Sequence, residues 1–366
     1  MRITAAVTED RGAPFRLVPL ELDEPRAGEV VVRLVGVGIC HTDLNARDQL
    51  RPFPLPAVFG HEGAGVVEAV GDGVSYVEPG DHVVLTFNSC GACRMCVQGR
   101  PAYCDQLAAR NFAGTRADGS TALHRAEGDV HGGFFGQSSF ATHALATERN
   151  VVKIDRAAPL ELLAPLGCGI QTGAGGVLNS LRPEAGSSIA VFGAGGVGIS
   201  SLMAAVITGC TTIAVVDING ARLELAKELG ATHVVNAADG DVVAGLREIT
   251  GGLGLDYTVE TTGVPSVLRQ CVDVLNQGGI CGLIGADGPA SEVTFNVSTL
   301  LFGRTVRGIH QGDSVPRTFI SKLVDLYQQG RLPIDRVIKT YPFADINQAA
   351  EDMAKGLTIK PVLTFA

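Results

Sequence analysis

Residues 188–217 read SIAVFGAGGVGISSLMAAVITGCTTIAVVD, and this stretch decides the fold. A short apolar run, Ser188 to Phe192, leads into Gly193-Ala194-Gly195-Gly196-Val197-Gly198. An apolar helical segment follows to about Thr208, and a second apolar run, Thr212 to Val216, ends on Asp217. Strand, glycine turn, helix, strand and terminal acid form a specific sequence. The first glycine makes the turn, the second lets backbone approach a pyrophosphate, and the third allows helix and strand to pack closely. The phosphates then meet a helix N-terminus. Asp217 lies nineteen residues after Gly198, where a carboxylate accepts hydrogen bonds from ribose hydroxyls and repels a 2′-phosphate. This favours NAD over NADP, against the plainer reading that Asp217 caps a helix beginning near Gly220.

Working outward, the second half alternates short buried strands with helices of about ten residues. A helix is expected over Ala221 to Leu229, and strands at His233 to Val235, Asp256 to Glu260, Gly279 to Ile284 and Thr305 to Ile309. That is the pattern of a parallel doubly wound sheet. The first part differs. Glu29 to Val37 (EVVVRLVGV) is β-branched, Gly60 to Val74 is a glycine-rich turning unit, and His82 to Leu85 is a further strand. These predict a small, barrel-like, mostly antiparallel β domain. Asp105 to Phe134, dense in Gly, Arg, Ala and Asp, reads as a long surface loop with solvated His124 and His131. Phe134 to Leu145 returns to strand, and Leu160 to Leu181 reads as a linking helix.

Two groups of metal-ligand type lie in the first part. Cys90, Cys93, Cys96 and Cys104 fall within fifteen residues. Four thiolates on a short loop can enclose one tetrahedral zinc with no open position, a structural site. An iron–sulfur cluster also takes four cysteines, but the spacing suits zinc better. Cys40-His41-Thr42-Asp43 and Gly60-His61-Glu62 supply a thiolate and an imidazole, the donors zinc prefers.

Composition agrees with a two-domain globular chain of 366 residues, 46% hydrophobic and 18% charged. A net charge of −9 argues against nucleic acid or an anionic membrane as partner. The N-terminal residues carry no long apolar run, so no signal peptide is expected, and no apolar run approaches membrane length. Nine cysteines, an odd number with four bunched together, suit a reducing compartment, so a cytoplasmic protein is expected. Cys210, Cys271 and Cys281 read as core.

With these motifs in hand, the chain resembles the zinc-dependent alcohol dehydrogenases of the medium-chain dehydrogenase/reductase superfamily over nearly its whole length. The resemblance rests on Gly38 to Asp43, Gly60-His61-Glu62 through Gly71, the four-cysteine lobe, Gly167-Cys168-Gly169 and the dinucleotide turn. It is nearest the aryl and benzyl alcohol dehydrogenase branch. It implies a GroES-like, barrel-like catalytic domain over 1–169 and 312–366, and a Rossmann NAD domain over 170–311, with the active cleft where they meet. Two zinc ions per chain follow: a catalytic one on Cys40, His61 and Cys168, and a structural one on Cys90, Cys93, Cys96 and Cys104. The resemblance makes Asp43 the carboxylate that orients the zinc-bound imidazole. Glu62 becomes a carboxylate beside the metal, Thr42 the first acceptor of the substrate proton, and Thr172 a neighbour of the nicotinamide. NAD contacts are expected from His41, Gly193, Gly195, Gly196, Val197, Gly198, Asp217 and Arg222. Lys360 is expected either to reach a phosphate or to lie exposed.

The implied reaction is reversible NAD-dependent oxidation of primary aryl or allylic alcohols to aldehydes. Zinc lowers the pKa of a bound alcohol much as it lowers that of water, from about 16 to about 7, which eases hydride departure. Alternatives are thiol-linked formaldehyde oxidation, aliphatic alcohol oxidation, and an NAD-binding sensor or structural protein without catalytic zinc. A homodimer or homotetramer is implied, joined near Gly279 to Ile309. Two departures from the family pattern stand out. Asn45 occupies the place of a proton-accepting histidine, and His41 that of a basic phosphate contact whose charge depends on pH.

Overall fold

In the computed structural model, residues 1–285, 288 and 290–365 are described. The chain divides into two compact units. One comprises Met1–Cys168, Val315–Gln329 and Ile334–Ala366, the other Gly169–Ser314 and Gly330–Pro333.

The first unit contains two sheets. Strands β1 (Arg2–Thr8), β2 (Arg16–Leu22), β3 (Glu29–Gly38), β4 (Ala57–Val58), β5 (Glu62–Val70), β6 (His82–Leu85), β7 (Leu123–Arg125), β8 (Gly128–Val130), β9 (His143–Thr147) and β10 (Val151–Lys153) follow in order. The smaller sheet runs β4-β1-β2-β7-β8 and is antiparallel throughout. Its inner face carries Ile3, Leu20, Phe59, Phe134 and Phe140, all 3% exposed or less, within one apolar cluster. Five phenylalanine rings of this cluster meet edge to face in four pairs: Phe53 with Phe59 and Phe134, Phe59 with Phe134, and Phe15 with Phe140. Such contacts add modestly to their area burial. The larger sheet is built on β3, which pairs with both β5 and β9. A second apolar cluster, with Val30, Val32, Leu34, Val83 and Leu85, packs within it. Val30 and Val32 of β3 pack in this cluster while Val31 and Val37 pack in the first, so both faces of the strand are buried and Arg33 is its exposed residue.

The second unit holds β11 (Ser188–Phe192), β12 (Thr212–Asp217), β13 (His233–Asn236), β14 (Leu255–Glu260), β15 (Leu275–Leu283) and β16 (Thr305–Gly308). Their order is β13-β12-β11-β14-β15-β16, every pair parallel. This is the 3-2-1-4-5-6 order of a doubly wound dinucleotide-binding sheet. Cys210, Cys271 and Cys281 are buried in this unit. The chain then returns to the first unit, where β17 (Ile338–Pro342) lies parallel to β18 (Lys360–Thr364) and β18 lies antiparallel to β3.

Three local expectations need correction. The segment from Asp105 to Phe134 is not one loop: it contains a short helix, Leu107–Asn111, and the β7–β8 hairpin. Buried Leu123 and Val130 face each other across that hairpin. Arg116 ties the segment to Asp23 and Glu29. Only β9 of the expected strand from Phe134 to Leu145 is extended; Phe134–Gly136 is a 3-10 turn. The expected helix from Leu160 to Leu181 is broken into Leu160–Leu163, Ala164–Gly167, Gly169–Gly175 and a π segment, Gly176–Leu181. Pro165 and five glycines within that stretch disfavour one continuous helix.

Candidate metal centres and dinucleotide turn

The loop after β3 starts a short helix, His41–Arg47, with Cys40 at its N-cap. Asp43, fully buried, reaches back to the Cys40 N–H at 2.9 Å. Its other oxygen accepts from the Gly60 N–H at 3.1 Å and lies 2.8 Å from His61 Nδ1. One carboxylate thus holds both sequence segments together. His61 Nε2 faces Cys168 Sγ at 3.2 Å. The donor atoms of Cys40, His61, Glu62 and Cys168 all lie within 4.8 Å of one another.

The electrostatics of this cluster are strained. Burial alone would depress His61, but the Asp43 carboxylate outweighs it and raises the imidazole to about 10. The hydrogen bond with Cys168 holds the Cys40 thiol well below its ordinary range. The same contact, with burial, pushes Cys168 well above it. Burial likewise pushes Glu62 up to about 7, against the opposing charge of Lys360. Two thiols and an imidazole whose far nitrogen is pinned by a carboxylate suit zinc with an open fourth position. Thr42 Oγ1 is 3.7 Å from Cys40 Sγ, which puts a hydroxyl at the edge of the cluster.

Lys360 is buried and paired. It is 4% exposed, and its Nζ donates to both Glu62 oxygens and to the Ile39 carbonyl at 3.2 Å. Of its two expected states, the exposed lysine is excluded. Register between β18 and β3 brings it there, a pairing invisible in local sequence. His41 and Asn45 are exposed on the short helix.

In the cysteine lobe, Cys90 Sγ lies 3.9 Å from Cys96 Sγ, and Cys93 Sγ lies 3.9 Å from Cys104 Sγ. A tetrahedron with zinc–sulfur bonds of about 2.3 Å has edges of about 3.8 Å. The thiols also accept backbone N–H groups: Cys90 from Ala92 and Cys93, and Cys104 from Cys90 and Gln106. These donors lower Cys90 to about 6. Donor set and spacing both fit zinc. All nine cysteines are free thiols.

In the second unit the turn after β11 has Gly193 at φ +95°, where a side chain is strained. A Cβ on Gly198 would lie 1.7 Å from the Gly193 carbonyl oxygen, so only glycine fits. A Cβ on Gly195 would enter open space, the gap a pyrophosphate needs. Gly196 and Val197 open the helix Gly196–Thr208. Asp217 Oδ2 accepts from the Ala194 N–H at 2.6 Å and Oδ1 from the Asn219 N–H. The following helix is capped instead by Asn219, whose side chain accepts from Ala221 and Arg222. Arg222 Nε is buried without a partner in this structure. Thr172 is 9% exposed, with Oγ1 3.4 Å from Gln311 Oε1. The turn therefore fits a dinucleotide.

Two side chains beside His61 escaped sequence reasoning. Phe135 stacks on its ring at 4.3 Å and 21°. Gln137 donates to its carbonyl at 2.9 Å. Neither belongs to a motif of ligand spacing, and no periodic signal marks them.

Comparison with known proteins places this geometry. Residues 26–156 match the alcohol dehydrogenase GroES-like domain, and residues 196–329 match the zinc-binding dehydrogenase domain. A geraniol dehydrogenase of Castellaniella defragrans is 46% identical over 364 residues, 99% of this chain and 97% of that protein. The crystal structure of benzyl alcohol dehydrogenase from Acinetobacter calcoaceticus is 48% identical, with a TM-score of 0.97 and complete coverage of both chains. An alcohol dehydrogenase zinc-binding domain protein from Burkholderia ambifaria is 56% identical, with a TM-score of 0.98, covering 100% of this chain and 99% of that one. The chain belongs to the zinc-dependent alcohol dehydrogenases of the medium-chain dehydrogenase/reductase superfamily. Its cofactors are zinc and NAD, and its substrate is a small-molecule alcohol.

Proposed function

We propose that this enzyme oxidises primary aryl or allylic alcohols, of benzyl, cinnamyl or terpenoid type, reversibly to aldehydes. The observation that carries the reading is full-length identity of 46% and 48% to proteins named for geraniol and benzyl alcohol. Thiol-linked formaldehyde oxidation and aliphatic alcohol oxidation are not favoured by those relatives.

Cys40, His61 and Cys168 would hold the catalytic zinc, and Cys90, Cys93, Cys96 and Cys104 the structural one. Zinc supplies a Lewis acid that lowers the pKa of an alcohol, and NAD accepts hydride. The chain's own residues do the rest. Asp43 fixes the His61 ring and tautomer through Nδ1. The Thr42 hydroxyl takes the substrate proton and passes it on, with Asn45 unable to end the relay. Glu62 stays in its pair with Lys360, close enough to enter the ligand set. Gly193, Gly195, Gly196, Val197, Gly198 and Asp217 hold the dinucleotide, with His41, Thr172 and Arg222 as further contacts.

Exposed Val297, Leu301 and Phe302, next to the open edge of β16, support a homodimer or homotetramer through this face. Positions 286, 287 and 289 of that stretch lie outside the described residues. Among the described residues no helix is long and apolar enough to cross a membrane, and the free cysteines support the cytoplasm.

Steady-state kinetics with benzyl alcohol, cinnamyl alcohol, geraniol, ethanol, and formaldehyde plus thiols tests the substrate class. The highest kcat/KM is expected with the first three. A preference for ethanol or the thiol adduct would overturn the proposal.

A further inference from the structure

The segment from Gly133 to Phe140 has an unusual backbone. Phe135 and Ser138, neither of them glycine, adopt φ of +52° and +53°. Conformations of this kind persist only where surrounding contacts over-determine them. Here those contacts run along Val58 to Gly60, the segment that leads into His61. The Ser139 N–H donates to the Gly60 carbonyl at 2.8 Å, the Phe140 N–H to the Phe59 carbonyl at 2.9 Å, and Ser138 Oγ to the Val58 carbonyl at 2.6 Å. Gly60 is at φ +89°, and a Cβ there would lie 2.4 Å from the Phe140 nitrogen. The two segments are therefore fitted to each other at backbone level.

From this segment Phe135 covers one face of the His61 ring and Phe134 presents its edge at 5.5 Å. Gln137, 2% exposed, uses its whole amide. Nε2 donates to the His61 carbonyl at 2.9 Å and to the Thr86 carbonyl at 3.2 Å. Oε1 accepts from the Gly63 N–H at 3.1 Å and from the Ser139 hydroxyl. Thr86, fully buried, in turn donates its hydroxyl to the Gly167 carbonyl at 2.8 Å, one residue before Cys168. A continuous buried path thus runs from the main chain of His61, through Gln137 and Thr86, to the main chain next to Cys168. These two residues are 107 positions apart in sequence.

We propose that Gln137 and Thr86 are positioning residues that set the separation of His61 and Cys168, and thereby the hold of the site on its zinc. This rests on the reading of Cys40, His61 and Cys168 as zinc ligands. Both act through the backbone of the residues they tie, which distinguishes them from Asp43.

Gln137→Glu keeps length and acceptors but loses both donors; Thr86→Val keeps shape but loses the hydroxyl. In each variant, release of the Cys40–His61–Cys168 zinc to dipicolinate is expected to accelerate about tenfold or more. Release from the four-cysteine lobe should stay unchanged and serve as the internal control. Cobalt substituted at the first site should show a shifted d–d band, which a merely structural role would not produce. Release rates within about twofold of the parent in folded protein, with an unchanged cobalt spectrum, would overturn the proposal. If Gln137→Glu does not fold, Thr86→Val decides alone. A His61→Ala chain that still retains two zinc ions would instead overturn the zinc reading, and this proposal with it.

Discussion

Lys360 Nζ lies 2.9 and 3.0 Å from the two carboxylate oxygens of Glu62, and both side chains are buried. A buried pair contributes little net stability when compared with apolar residues, because desolvation offsets attraction. Removing one partner is different, since it strands a charge. Lys360→Met is expected to destabilise the chain by roughly 3–5 kcal/mol. Adding Glu62→Gln should recover much of that loss, because the stranded charge is gone. Urea unfolding of the single and double variants measures it; an equal or larger loss in the double variant would show that the charge is not the cause.

The glycines of the dinucleotide turn should separate binding from folding. Gly195→Ala places a methyl group in open space, so the melting temperature should hold. That space is the one a pyrophosphate needs, so the Kd for NAD should rise about tenfold or more. Gly198→Ala should lose folded protein, since its Cβ would overlap the Gly193 carbonyl. Calorimetric NAD titration and thermal melts check both outcomes.

Asn45 is exposed on the helix that follows Cys40 and cannot accept a proton. Asn45→His would supply an acceptor with an ordinary pKa of about 6.5. The pH profile of kcat for alcohol oxidation is expected to gain an ionisation in that region. A superimposable profile would show that this position lies outside the proton relay.

Asp81 should set part of the acid limit of stability. Burial by itself would raise its carboxyl. The hydrogen bond from Lys153, the Glu78 N–H and the charges of Lys153 and Arg156 together hold it below the usual carboxylate range. A depressed folded pKa contributes stability above the unfolded value of about 3.9, and that contribution is lost as pH falls through the folded pKa. Asp81→Asn should therefore cost on the order of 1 kcal/mol at pH 7, after allowing for the exposure of both cations. The gap from the parent should close below about pH 4. Urea midpoints across pH measure this, and a constant gap would refute it.

The zinc-ligand types, the cysteine lobe and the dinucleotide turn were legible because each is carried by local spacing. A glycine at φ +95° or four thiols within fifteen residues leaves a mark in the sequence itself. The parallel sheet was legible from apolar runs alternating with helical segments. The β7–β8 hairpin was not, because its strands are three residues each, too short for a period to show. The pairing of Lys360 with Glu62 was not legible for a related reason. Whether a lysine is exposed or paired depends on which strand lies beside its own, and β18 meets β3 from more than three hundred residues away.

The sequence by itself therefore determined the donor chemistry, the dinucleotide turn and the parallel order of the second unit, because short-range spacing and periodicity encode them. Only the tertiary structure decided that Lys360 neutralises Glu62, that Phe135 covers the His61 ring and that Gln137 ties His61 to Thr86. Those contacts arise where distant strands and turns pack, and their energies come from burial and geometry that no local pattern records.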